Sequence, residues 1–261
     1  MRVDLLDHGY IEFIEAWGTG NAGRKHGLDR PVKVHTYGDG VVNIEPHMRE
    51  NDYEVGIIEA ARMSTQGGFK GWDQDSRLLG YLYNHRHSTP FEFAGMTVQI
   101  KAPIMVFREW QRHRTQAYNE ASARYSPLPP DDYLPTIERI MMGAAATTNK
   151  QAQGVNGELN ENNAHVGQQM LHEHYMRTED LYQRLLQFGW PKELARLPLS
   201  VGRYSTMRAT CSLRNWLAFM TLRCDPAAQK EIRMYADQIA LIIGKKFPQT
   251  FQFWTQDFYG Q

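Results

Sequence analysis

Residues 96–126 read MTVQIKAPIMVFREWQRHRTQAYNEASARYS, and their periodicity changes along the way. Met96-Thr97-Val98-Gln99-Ile100-Lys101 alternates apolar and polar residues, the pattern of a strand that buries one face. Pro103 stands where a helix starts, since its fixed φ suits a first turn and its missing N–H would find no helical partner there. Ile104 to His113 is the expected helix, delivering Arg108, Trp110, Arg112 and Arg114 to its C-terminal end. From Thr115 to Pro135 the chain runs through Ser126-Pro127 and Pro129-Pro130 and is expected to be irregular.

Outward from this stretch, residues 3–14 read as one or two short strands and 18–30 as a Gly-rich loop. A short strand is expected at Val32–Tyr37. Residues 52–63 suit a helix with Ile57, Ile58 and Ala61 on one side. Asp75 is expected to cap a helix whose apolar face is Leu78, Leu79 and Leu82, and residues 85–90 form a turn. On the C-terminal side, 142–168 is small and polar and reads as an excursion. Leu171, Tyr175, Tyr182 and Leu185 give 169–188 the spacing of an amphipathic helix. Pro191 starts a short helix carrying Arg196, and 203–210 is strand-like. Ser212 is expected to cap the helix Leu213–Arg223. Asp225-Pro226 reads as the start of a long helix that buries Ile232, Tyr235, Ile239 and Ile242. Strands and helices are mixed without βαβ alternation, so a mixed α+β fold is expected: a central sheet flanked by helices, and no doubly wound sheet. Residues 1–261 read as a single domain, with insertions at about 17–50 and 142–168.

The chain carries 29 basic and 29 acidic residues. That balance gives no global attraction to nucleic acid or to an anionic membrane, so any anion site must be local. No apolar run is long enough to span a bilayer, and the N-terminus lacks the apolar core of a signal peptide. Cys211 and Cys224, with no CxxC, exclude a disulfide framework and point to packing in a reducing, cytoplasmic setting. His85, His87 and His113, and the pair His172 and His174, lack the i, i+4 spacing of helical metal ligands; no metal is expected.

The local exception to neutrality is dense: Arg108, Arg112, His113, Arg114 and Arg124 lie within 17 positions. On the expected helix, Arg108 and Arg112 sit at i and i+4, where like charges repel unless something anionic lies between them. Arginine forks bind two oxygens of a phosphate or carboxylate at once. The alternative is a solvated basic helix end that complements the helix dipole. Tyr118 to Ser126 adds short hydrogen-bonding groups suited to holding phosphate and reading the polar edges of a ring. Ser122 has no Ser–His–Asp context and reads as a hydrogen-bonding group, not a nucleophile.

Arg112-His113-Arg114, followed after seven residues by Ser122, resembles the RHR-x7-S motif of the flavin-dependent thymidylate synthases. Arg108-Glu109-Trp110, Asn119-Glu120 and Ala123-Arg124-Tyr125-Ser126 extend the likeness. His85-Arg86-His87-Ser88-Thr89-Pro90-Phe91-Glu92 resembles the family's H-x-(S/T)-P-F-E segment, which helps bind the flavin, and Ala60 to Ser64 another segment near the flavin. Glu193 to Arg196 and Leu213-Arg214-Asn215-Trp216 through Arg223 resemble its later arginine positions. The likeness covers roughly 52–135 and 171–255.

That resemblance implies a thymidylate synthase-complementing fold assembled as a homotetramer, with active sites where subunits meet. It implies FAD as cofactor, with NADPH and methylenetetrahydrofolate as co-substrates and dUMP methylated at C5 without an enzyme cysteine. The residues it places at the flavin are Ser64, His87, Thr89, Glu92, Arg112, His113, Arg114, Asn119, Glu120, Ser212, Arg214 and Ala218. Those it places at dUMP are Glu109, Arg112, Glu120, Ala121, Ser122, Ala123, Arg124 and Arg196, with Arg223 as the catalytic residue at the uracil imide. The chain departs from relatives at Glu109, where glutamine is sometimes found, at Phe93, and at Ser212 and Ala218, where Asn or His often meets the flavin. A carboxylate at 109 would repel phosphate unless it faces the base or a neighbouring arginine. Two other readings stand beside this one: a nucleotide-binding member with impaired catalysis, and a nucleic-acid-binding module that uses the arginine cluster.

Overall fold

The computed structural model describes residues 1–20, 33–35, 41–43, 52–144 and 159–260. Its framework is a five-stranded sheet in the order β1-β2-β5-β7-β6, every neighbour antiparallel. These strands are β1 (Arg2–Leu5), β2 (Gly9–Trp17), β5 (Gly95–Pro103), β6 (Ala117–Glu120) and β7 (Tyr204–Ser212). Two further strands, β3 (Lys33–His35) and β4 (Val41–Asn43), pair with each other.

Alternation sorts the residues of β5 and β7. Met96, Val98, Ile100, Met207, Ala209 and Cys211 are buried, while Thr97, Gln99, Lys101, Arg208 and Thr210 are half-buried or exposed on the other face. That polar face is knitted across strands, with the Thr97 hydroxyl 3.0 Å from that of Thr210 and Arg208 Nε donating to Gln99. The apolar face is covered by helices.

Helices α3 (Ile104–Trp110), α7 (Leu213–Arg223) and α8 (Lys230–Lys246) pack against the sheet, and α1 (Val55–Arg62), α2 (Trp72–Asn84) and α9 (Pro248–Tyr259) join them in one core. Trp110, Trp216, Phe219, Tyr235, Phe251 and Trp254 fill the space between them and the sheet. Helix α5 (Glu161–Gln187) packs against both α4 (Ile137–Ala144) and the short α6 (Lys192–Ala195). So the fold is mixed α and β as expected, a central sheet with helices α3, α7 and α8 packed against it.

Several boundaries differ from expectation for local reasons. Helix α2 begins before Asp75, after Gly71 at φ +100°, and Asp75 is a buried acceptor for Arg62 and the Lys70 N–H. Asp225 does not cap α8. Its carboxylate accepts from Ala227 N–H at 2.7 Å and its carbonyl from Ala228, closing a separate turn before Lys230. Helix α5 starts at Glu161, capped by the Asn160 side chain, so the end of the expected excursion at 142–168 is helical. Most of 17–50, and 145–158, lie outside the described residues. The apolar face expected for α8 (Ile232, Tyr235, Ile239, Ile242) is buried throughout.

Candidate active site

Helix α3 stops at Trp110, three residues short of the expected end at His113. The stop has visible causes. Trp110 Nε1 donates to Gln116 Oε1 at 3.0 Å, which turns the chain back on itself. The Tyr118 hydroxyl lies 2.7 Å from the His113 carbonyl and 3.1 Å from that of Trp110, supplying a donor where helical N–H groups end. Arg112-His113-Arg114 therefore sits on a tight turn, with His113 N–H on Trp110 O and Arg114 N–H on Arg112 O. Arg108 and Arg112 are not one helical turn apart, so the repulsion expected between them does not arise in that form.

Next to this turn comes the far end of α7. Ser212 sits at its N-cap and Arg223 in its last turn. Arg223 Nε donates to His113 Nε2 at 2.9 Å, Nη1 to Glu109 Oε2 at 2.9 Å and Nη2 to the Glu109 carbonyl at 3.1 Å. Glu109, the departure noted in the sequence, thus faces an arginine. Burial, and then the Arg223 charge, push the His113 imidazole down to about 4 from 6.5, with Glu109 pulling weakly the other way. His113 is neutral at physiological pH. Arg223 and Glu109 line a broad cleft of about 880 Å³, together with Arg139, Lys230 and Arg233. The sequence reading missed these last three. Lys230 and Arg233, three apart on one helix, were the available signal.

A second cleft, about 220 Å³, opens at the other end of α7. His87, Arg214 and Ala218 share its lining with Tyr83, Arg86 and Trp254. Arg214 pairs with Glu92. Thr221 lines both clefts, so α7 forms the wall between them. The Ser212 hydroxyl oxygen is buried and has no hydrogen-bond partner, which is costly unless a partner arrives. Ser64 and Thr89 lie exposed on single 3-10 turns.

The remaining residues lie on or after β6. Asn119 is exposed and Glu120 half-buried. Gln111 Nε2 reaches Glu120 at 3.4 Å. The Ala121 N–H is taken by Thr206 O, and Ala123 is 4% exposed. A ligand contact at Ala121 cannot use that N–H, and Ala123 leaves little surface for one. Ser122 Oγ accepts from the Arg124 N–H, and Arg124 pairs with Glu193 at 3.1 Å, tying the loop to α6 and Arg196. Among the described residues, Arg112, Arg114 and Arg196 are exposed and make no side-chain hydrogen bond or ion pair. Burial pushes both cysteine thiols up, holding them protonated.

The sequence profile of the family described as thymidylate synthase complementing protein matches residues 47–249. The chain belongs to this family. Among its relatives, a flavin-dependent thymidylate synthase of Gluconobacter oxydans is 37% identical over 74% of this chain, and the match spans 64% of that protein, just under two thirds. Another of the same name, from Thermotoga neapolitana, is 31% identical over 97% of this chain and 93% of its own length. Among solved structures of similar fold is a UMP/dUMP methylase from Streptomyces cacaoi, bound with 5-bromo-dUMP. It is 26% identical, superposes with a TM-score of 0.72, and covers 97% of each chain. His113, Glu109 and Arg223 all fall within the matched segment.

Proposed function

We propose that this chain is a flavin-dependent thymidylate synthase that methylates dUMP to dTMP, with methylenetetrahydrofolate as carbon donor and NADPH as reductant through FAD. The observation that carries the reading is the contact between the Arg-His-Arg turn and Arg223, 110 positions apart in the chain. In a family whose curated relatives carry the name thymidylate synthase, that contact assembles a cationic site from distant segments.

The residues present fit a bound flavin. The unpartnered Ser212 oxygen, the unpaired Arg112 and Arg114, and a cleft lined by His87, Arg214 and Ala218 offer donors, charge and room along α7. FAD, when bound, supplies the reducing equivalents drawn from NADPH. Asn119, Glu120, Thr89, Glu92 and Ser64 belong to the same proposed surface. The protein's own chemistry falls to its arginines. Arg196, Arg124 and Ser122 hold the nucleotide phosphate, with Glu193 exchanging Arg124 to it. Arg223, always protonated, stabilises negative charge on the uracil imide and makes C5 the nucleophile. A donor aimed at developing charge contributes ~3 kcal/mol. No thiol attacks the base, in keeping with the protonated state of Cys211 and Cys224.

The same proposal includes a cytoplasmic homotetramer with active sites at subunit contacts. It is supported by site residues that lie exposed on one chain and by large apolar side chains left open nearby, Phe188 (75% exposed) and Leu197 (72%) among them. No described helix is long and apolar enough to cross a membrane. To test the function, the purified chain is reconstituted with FAD and assayed for NADPH oxidation and product. Oxidation stimulated by dUMP, with dTMP formed, is the expected result. UMP is assayed in parallel, because the Streptomyces neighbour is described as acting on both nucleotides. A chain that takes up no flavin, or binds dUMP without forming dTMP, overturns the proposal.

A further inference from the structure

Arginine cannot accept a hydrogen bond, so the 2.9 Å contact from Arg223 Nε fixes the state of His113. A protonated imidazole donates from both nitrogens and would face that N–H as a second donor. The contact therefore requires a neutral ring with its hydrogen on Nδ1. The ring is also held in place. It packs edge-on to Phe219 at 4.8 Å, and its backbone is fixed on both sides by Trp110 O and the Tyr118 hydroxyl. The charged groups that face it are Arg223 and Glu109. Arg223, by contrast, is a long side chain whose guanidinium, among the described residues, is otherwise held only by Glu109.

We propose that His113 is a positioning residue: through Nε2 it orients the Arg223 guanidinium toward the base, while its Nδ1–H stays available to the flavin side. This rests on the reading of Arg223 given above. The ring becomes the link between the turn that meets the flavin and the arginine that polarises uracil. A donor fixed before the substrate arrives needs no reorganisation as charge develops. Holding the ring neutral is what makes it an acceptor, and its burial and the adjacent Arg223 charge serve that end.

The test uses two isosteric variants. In His113→Gln, the side-chain oxygen can take the place of Nε2 and accept from Arg223. In His113→Asn, the amide replaces the Nδ1 donor and loses the acceptor. We expect His113→Asn to lose about 100-fold in kcat, the scale of a misplaced catalytic group, with KM for dUMP little changed and FAD still bound. We expect His113→Gln to recover most of that loss. In the full-length chain without ligands, nitrogen NMR of labelled histidine should show His113 at neutral pH with an unprotonated Nε2 and a protonated Nδ1, and a mixed tautomer in Arg223→Met. Full activity in His113→Asn, no advantage of Gln over Asn, loss of activity explained by lost FAD, or a protonated Nε2 in the native chain each overturn the proposal. Arg223→Ala runs alongside. If it turns over normally, the reading of Arg223 itself fails. If it is inactive while His113→Asn is normal, only the positioning role fails.

Discussion

At the scale of single residues, the turn after α3 depends on a few polar atoms. Tyr118→Phe removes the hydroxyl that caps the carbonyls of His113 and Trp110. We expect a loss of about 1 kcal/mol in stability, the usual worth of a hydrogen bond, and a larger relative loss in turnover, because the displaced turn carries His113. Denaturant unfolding and steady-state rates measure the two effects separately. His113 also makes a pH prediction with a definite sign. Its folded pKa is about 4, against 6.5 for the free side chain. Between those values the unfolded chain binds the proton and the folded chain does not, so stability falls as pH drops from 6.5 toward 4. His113→Gln should flatten that part of the stability profile, and an unchanged slope would contradict the neutral assignment. The motif residues were legible in the sequence. Their pairing was not: a helix running to His113 was expected, and it took the Trp110–Gln116 and Tyr118 contacts, which link neighbours through side chains, to end it at Trp110.

At the scale of elements, α9 is fastened by a residue far away in sequence. Glu54 is buried, and its carboxylate accepts from the Gln249 and Thr250 N–H groups at the start of α9, at 3.1 and 2.6 Å. Glu54→Ala leaves those donors without a partner and should cost about 1–3 kcal/mol, read as a lower denaturation midpoint at unchanged slope. Since Trp254 of α9 lines the cleft with His87 and Arg214, flavin affinity should fall in the same variant. Strands with clean alternation, such as β5, were legible because one face meets the core. The edge strand β6 was not. Ala117-Tyr118-Asn119-Glu120 carries no apolar alternation and becomes a strand through its backbone ladder with β7, a partner 91 positions away at Tyr118↔Ala209. Asp225-Pro226 is a genuine start signal that here closes a separate turn, and no local rule placed the helix four residues later.

At the scale of the whole molecule, α7 organises the account, with Ser212 and Arg214 at one end, Arg223 at the other and a cleft on either side. Arg124 and Arg196, which we propose hold the phosphate, are exposed, as are large apolar side chains on and after α5. If those side chains are subunit contacts, Phe188→Glu combined with Leu197→Glu should give a smaller species by light scattering that keeps its helical content and loses turnover; a full-size, active variant would contradict the assembly. The role of Arg223 in dUMP methylation is tested most directly by product formation in FAD-reconstituted Arg223→Ala beside the native chain. The native chain should convert dUMP to dTMP, and the variant should keep its flavin spectrum but form dTMP about 100-fold or more slowly. Equal rates in the two proteins, or no dTMP from the native chain, would contradict it.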